Sequence, residues 1–310
     1  EIREHIQEAR SLFNKTMEKH SYEGSYEFCY CTKCCHFSHV VKTALKEKVS
    51  LETSSSFDID LILKLYEQGA LTKETTIVHN GIKTEEYIEK IRFLQNQGFE
   101  HTITILDSVQ ELDRITMHKL ERPIKIGLRI TIDEEPQAAY YTSRLGINKR
   151  ELLELVKEKI QPNPLLELHM IHFFVDSGIN DNLYYWGEFK KALQLYTQIK
   201  QLAPSLQALN IGGGFPIRNS LGFEYDYEYI VDEIVRNIKE TCVEAQVSVP
   251  DIYTEFGKYT VGESGAVIFR VIEQKQQNDT ELWYIIDNSL MNTIPDAWSI
   301  NEKFILLPIN

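Results

Sequence analysis

Eight short apolar runs, each leading into an amphipathic stretch, limit most severely what this chain can fold into. They are YEFCYCT (26–32), VSLET (49–53), TIVHN (76–80), TITIL (102–106), IKIGLRI (124–130), ELHMIHFF (167–174), QALNIGG (207–213) and DIYTEF (251–256). Helical patterns fill the gaps at about 37–47, 57–68, 84–97, 108–119, 148–160, 182–202 and 226–243, and another covers 2–19. Thr84 and Ser108 stand where an N-cap oxygen belongs. Strands alternating with helices read as βα units around a parallel sheet, and eight is the number that closes a (β/α)8 barrel. An open doubly wound sheet is the alternative, and it usually has fewer strands.

Beyond residue 256 the pattern changes. AVIFRV (266–271), ELWYIID (281–287) and KFILLPI (303–309) are β-type runs with no helix between them, and QKQQNDTE (274–281) reads as a hairpin turn. The expected division is a barrel over 1–262 followed at 263–310 by the beginning of an all-β domain.

Composition excludes several functions. Forty-six acidic against 33 basic residues leave a formal charge of −13, which opposes an extended nucleic-acid or anionic-membrane surface. A small basic pocket for a phosphate remains open. The apolar runs are too short to span a bilayer, and residues 1–20 lack the apolar core of a signal peptide. Five cysteines, four of them within residues 29–35, do not make a spread disulfide framework, so a reducing cytoplasm is expected. The chain does not begin with Met and is expected to be part of a longer protein.

In a parallel barrel the active site gathers where strands end. The first strand ends at Lys33, whose amine, if desolvated, has a lowered pKa and can condense with a carbonyl; a surface lysine opening the next helix is the alternative. The seventh runs into Gly212, Gly213 and Gly214, where backbone N–H groups can approach an anion without a Cβ in the way, unless the stretch is merely a flexible loop. The eighth ends in Glu255-Phe256-Gly257-Lys258, a carboxylate and a cation flanking a glycine turn. The sixth leads to Asp176-Ser177-Gly178 and places His172 and Phe174 on one face. Arg129 interrupts an apolar run and needs an anion if it points inward; otherwise it is a solvated strand end. Cys31 and Cys34 form a C-x-x-C, but no second pair lies elsewhere, so no metal is expected. Cys34 and Cys35, beside Lys33, are candidates for reactive thiols.

In order and location these features resemble the fold-type III pyridoxal-phosphate decarboxylases, which act on ornithine, arginine, diaminopimelate and carboxynorspermidine. The resemblance runs along all 310 residues. It implies that Lys33 holds the cofactor covalently and that Gly212, Gly213 and Gly214, with Ser177 and Lys258, bind its phosphate. Glu255 would pair with the pyridine nitrogen, keeping the ring able to accept electrons as CO2 leaves. Arg129, His172, Phe174 and Gly257 complete the expected cofactor-binding set. Leu51-Glu52-Thr53-Ser54-Ser55 resembles the family's acidic-x-Ala-Ser strand end, and Tyr141-Thr142-Ser143-Arg144-Leu145-Gly146 its Ser-Lys-Phe-Gly stretch. Ile294-Pro295-Asp296-Ala297-Trp298-Ser299-Ile300, followed by Phe304, is most similar to the biosynthetic arginine decarboxylases. There Asp296 would face the substrate's guanidinium, which a carboxylate can bind through two N–H bonds.

The resemblance therefore implies decarboxylation of arginine to agmatine, with ornithine, diaminopimelate or carboxynorspermidine as alternative substrates and a non-catalytic barrel that binds a regulatory partner as a reading of another class. Some positions depart from the pattern. Phe174 stands where many relatives stack a histidine over the ring, Lys258 replaces an arginine, and Phe256 replaces a proline. The family completes its site with a Cys-Asp segment from the other subunit of a homodimer and a tyrosine from the β domain. Both are expected beyond residue 310.

Overall fold

The computed structural model describes residues 1–117, 119–136, 144–299 and 301–309. Its strands are β1 Tyr26–Cys31, β2 Ser50–Thr53, β3 Ile77–His79, β4 Thr102–Leu106, β5 Ile124–Arg129, β6 Leu166–His172, β7 Ala208–Asn210 and β8 Asp251–Thr254. Each pairs in parallel with the next, and β8 closes on β1 through Tyr26–Ile252 and Phe28–Thr254. The helices between them are α2 Ser38–Leu45, α3 Ser56–Glu67, α4 Glu85–Asn96, α5 Val109–Met117, α6 Lys149–Leu155, α7 Leu183–Leu202 and α8 Tyr227–Glu244, with α1 Ile2–Lys19 ahead of β1. The fold is a (β/α)8 barrel. Helix starts follow local chemistry: the Thr84, Asn148, Asn182 and Asp226 side chains each accept an N–H from the first turn.

Two compact units divide the chain. One comprises Glu1–Pro216 and Asp226–Val261; the other comprises Ile217–Tyr225 and Gly262–Asn310. The first holds the barrel and ends with α9 Gly257–Val261. Within the second, β9 Val271–Asn278 and β10 Glu281–Ile286 form an antiparallel hairpin, followed by the short helices α10 Leu290–Thr293 and α11 Pro295–Ser299.

This second unit corrects the expected pattern in three places. The polar run at 274–281 is mostly strand rather than turn, because Gln274, Lys275, Gln276 and Asn278 find cross-strand partners in β10 and the reversal is confined to a tight turn in which Asn278 Oδ1 accepts the Thr280 N–H. The runs at 266–271 and 303–309 form no strand along their described lengths, except at Val271; a β-type sequence needs a ladder partner to become one. Two short helices stand where none was expected.

Inside the barrel, side chains alternate as the pleat requires. Cys29, Val78, Ile103, Ile105, Met170 and Ala208 form one buried cluster, with Tyr253 packed against it. Phe28 and Tyr30, on the opposite face of β1, are equally buried. Two residues beyond this core layer, the same inward face carries Cys31, Asn80, Asp107, His172, Asn210 and Glu255. The change from apolar to polar at one end of the barrel locates the site.

A candidate active site at the C-terminal ends of the strands

Glu255 follows β8 directly and is almost wholly buried. Asn80 Nδ2 lies 3.0 Å from each of its carboxylate oxygens, Asn210 Nδ2 donates to Oε1 at 2.6 Å, and His172 Nε2 is 3.3 Å from Oε2. Burial alone would raise this carboxyl's pKa, but His172, Lys33 and the Asn80 hydrogen bond together lower it to about 2. Glu255 is therefore a fixed anion.

Lys33 Nζ lies 3.1 Å from Glu52 Oε1. Glu52 is completely buried and also accepts from Ser54 Oγ at 2.7 Å and Asn80 Nδ2 at 3.0 Å. The expected lowering of the Lys33 pKa is not what the structure shows. Desolvation does act in that direction, but Glu52, Cys31 and Glu255 outweigh it and push the amine up. Its side chain is also 53% exposed, so burial is incomplete.

Arg129 points inward. Its Nε lies 3.9 Å from Asp107 Oδ1, and its guanidinium sits 5.5 Å from the centre of the Phe174 ring, a cation–π distance. Phe174 borders the glycine loop, since a Cβ on Gly212 would meet its ring at 2.9 Å. Arg144 approaches Asp176 at 3.6 Å, and the Gly146 N–H donates to Asp107 Oδ1. Tyr141, Thr142 and Ser143 lie outside the described residues, as does Ile300.

The glycine loop is built as a cradle. Gly212 and Gly214 have φ of +71° and +89°, and a Cβ on Gly214 would fall 2.4 Å from Gly178 Cα. A side chain on Gly213 would meet the Glu255 carbonyl at 2.7 Å. Stacking of Phe215 on Phe256, with centroids 4.4 Å apart, joins the loops after β7 and β8. Phe256 thus packs against the ring next to the glycines. Ser177 is exposed and adjoins Gly178, while Gly257 and Lys258 open α9. Asp296 lies in α11 of the second unit and is exposed.

Glu52 stands in the strand end that resembles the family's acidic-x-Ala-Ser, but no site role attaches to it from the sequence, and Asn80, Asn210 and Asp107 carry no sequence motif. Each sits on an inward-facing position at a strand end, so strand register combined with side-chain parity could have found them. Lys83 is fully buried and donates to the carbonyls of Gly81 and Ile105, which holds the loop after β3 against β4. Burial, opposed by Glu111, lowers its pKa to about 8.

The cysteines do not converge on a metal, and among the described residues no group of three or more His, Cys, Asp or Glu does. Cys29 and Cys31 are buried strand residues and Cys34 is exposed. A hydrogen bond from Cys31, assisted by Lys33, lowers the Cys34 thiol pKa against desolvation. Iodoacetamide should accordingly modify Cys34 well before Cys29, Cys31 or Cys242 in native protein. Peptide mapping checks this, and early labelling of a buried thiol would contradict it.

An aldehyde cofactor with a phosphate and a ring nitrogen fits the residues present. Three buried polar atoms at the mouth, Glu52 Oε2, Asn80 Oδ1 and His172 Nδ1, have no hydrogen-bond partner among the described residues.

Residues 3–262 match the family model for the pyridoxal binding domain of pyridoxal-dependent decarboxylases, and the chain belongs to that family. It is 23% identical over 290 residues to the biosynthetic arginine decarboxylase of Nostoc sp., covering 87% of this chain but only 42% of that protein. The chain thus spans under half the length of this relative. Among solved structures, diaminopimelate decarboxylase from Helicobacter pylori, complexed with L-lysine, superposes with a TM-score of 0.79 at 18% identity over 99% of this chain and 74% of that one. The Paramecium bursaria Chlorella virus arginine decarboxylase, bound to agmatine, gives 0.72 at 23% identity, again over 99% and 74%. Both are likenesses of fold. No helix among the described residues is long and apolar enough to cross a membrane.

Proposed function

We propose that this chain is the cofactor-binding part of a pyridoxal-phosphate decarboxylase that converts L-arginine to agmatine and CO2. The observation that carries the reading is Glu255, a buried carboxylate held ionised by Asn80, Asn210 and His172, at the same strand-end face as Lys33 and the glycine cradle. The arginine assignment draws support from the Nostoc relative and from the likeness of residues 294–300 to arginine decarboxylases.

In this reading Lys33 supplies the amine that holds the cofactor. Glu52 Oε1, 3.1 Å away, orients that amine at the strand-end face and favours its protonated form. The loop of Gly212, Gly213 and Gly214, with Ser177 and Lys258, binds the phosphate, the Gly212 N–H itself being engaged by Asn210 Oδ1; Phe174, Arg129 and Gly257 shape the walls. Glu255 keeps a proton on the ring nitrogen. The cofactor supplies a conjugated sink for the electron pair released when CO2 departs. Asp296 pairs with the substrate guanidinium, residues 263–310 begin a β domain, and the working enzyme is a cytoplasmic homodimer with a shared site.

Full-length protein mixed with pyridoxal phosphate should develop a visible absorption band that Lys33→Ala abolishes, and should release CO2 from arginine faster than from ornithine or diaminopimelate. No band in the parent protein would sink the enzyme reading. A preference for ornithine that Asp296→Ala leaves unchanged would sink the arginine assignment.

A further inference from the structure

Asn210 is the last residue of β7, is completely buried, and uses both ends of its amide. Oδ1 accepts the Gly212 N–H at 2.8 Å while Nδ2 donates to Glu255 Oε1 at 2.6 Å. The orientation is fixed by chemistry: a backbone N–H can only donate and an ionised carboxylate can only accept, so a flipped amide would oppose like groups at both ends. A second tie runs alongside, because the Glu255 N–H donates to the Gly212 carbonyl at 2.8 Å. A Cβ on Gly213 would lie 2.7 Å from the Glu255 backbone carbonyl, so the loop and the Glu255 backbone are closely packed.

We infer that Asn210 is a positioning residue that couples the glycine loop to Glu255, so that an anion seated on the loop aligns the carboxylate for the cationic ring nitrogen of the same ligand. This rests on the reading of the site as a pyridoxal-phosphate site. The amide suits the task because it supplies one acceptor and one donor in a rigid plane and adds no charge. Aspartate in its place would keep the acceptor for Gly212 but set two carboxylates against each other. Because coupling between two subsites is reciprocal, filling either one must strengthen the other by the same factor.

Splitting the ligand tests this. Pyridoxal, which lacks the phosphate, is titrated by its visible band into the full-length protein with and without inorganic phosphate. In the parent protein phosphate should tighten pyridoxal binding about 5-fold or more, the lower end of ordinary coupling factors. In Asn210→Asp the factor should fall to about 1, and in Asn210→Asp/Glu255→Gln, where the glutamine amide can donate to the new carboxylate, it should recover in part. Melting curves identify variants that fail to fold, and the double variant keeps the comparison open if the single one does not survive. A band in the parent protein with no effect of phosphate overturns the inference alone, as does full coupling in Asn210→Asp. Absence of any band with pyridoxal phosphate itself overturns both this inference and the reading beneath it.

Discussion

Glu255→Gln, in full-length protein loaded with pyridoxal phosphate, is expected to slow decarboxylation about 10²- to 10³-fold, the usual effect of removing one preorganised electrostatic partner from a water-poor site. The substitution preserves shape and removes the charge. It also replaces an acceptor-only carboxylate with an amide, so one N–H of the new glutamine faces a donating amide of Asn80 or Asn210. Acid stability should change as well. The folded pKa of Glu255 lies below its unfolded value, so its contribution is present above about pH 4.3 and is lost as pH falls toward 2. The variant should lack this pH-dependent contribution. Turnover within about threefold of the parent, with an unchanged acid transition, would remove Glu255 from the mechanism.

At the alkaline end the protein should unfold abruptly just above pH 10. Burial pushes the phenols of Tyr22, Tyr26, Tyr30, Tyr87, Tyr196, Tyr253 and Tyr259 well above their ordinary value. For an acid whose folded pKa is raised, the stabilisation is complete below the unfolded pKa, near 10, and declines as pH rises through the window between the two values. Each such group costs up to about 1.4 kcal/mol per pH unit there, so seven acting together would exhaust a typical stability of about 5–15 kcal/mol within one or two units. Lys83 works in the opposite direction, since its depressed pKa of about 8 makes folding more favourable as pH rises from 8 toward its unfolded value. One lysine does not offset seven tyrosines. Tyrosinate absorbance and far-ultraviolet circular dichroism should change together; gradual ionisation near pH 10 in a protein that stays folded would contradict the burial argument.

The two predictions depend on features that differ in how visible they are in sequence. The tyrosines lie within or beside strand and helix patterns whose apolar faces announce burial. Glu255 is conspicuous because a carboxylate stands at the end of an apolar run, two residues before a glycine. Asn80 and Asn210, which hold Glu255 in place, look like ordinary polar strand ends. They become site residues only when Val78 and Ala208, two positions earlier, are known to face the barrel interior.

Lys33 marks the same boundary from another side. Its position at the end of the first strand was legible, but its charge state was not. The partner that holds its proton, Glu52, lies on the neighbouring strand, in the register that sets Cys31 opposite Glu52. The C-terminal hairpin shows the limit for secondary structure: polar residues 274–278 became strand because β10 was there to pair with them, while the apolar run at 303–309 formed no strand along its described length.

By itself the amino-acid sequence determined the eightfold βα order, the glycine cradle after the seventh strand, and the lysine and carboxylate at strand ends, because all of these follow from local periodicity and backbone chemistry. The tertiary structure alone decided which polar groups meet, which way Lys33 titrates, and that Glu255 is an anion. Those are properties of the field inside a closed barrel, where residues distant in sequence share one desolvated space.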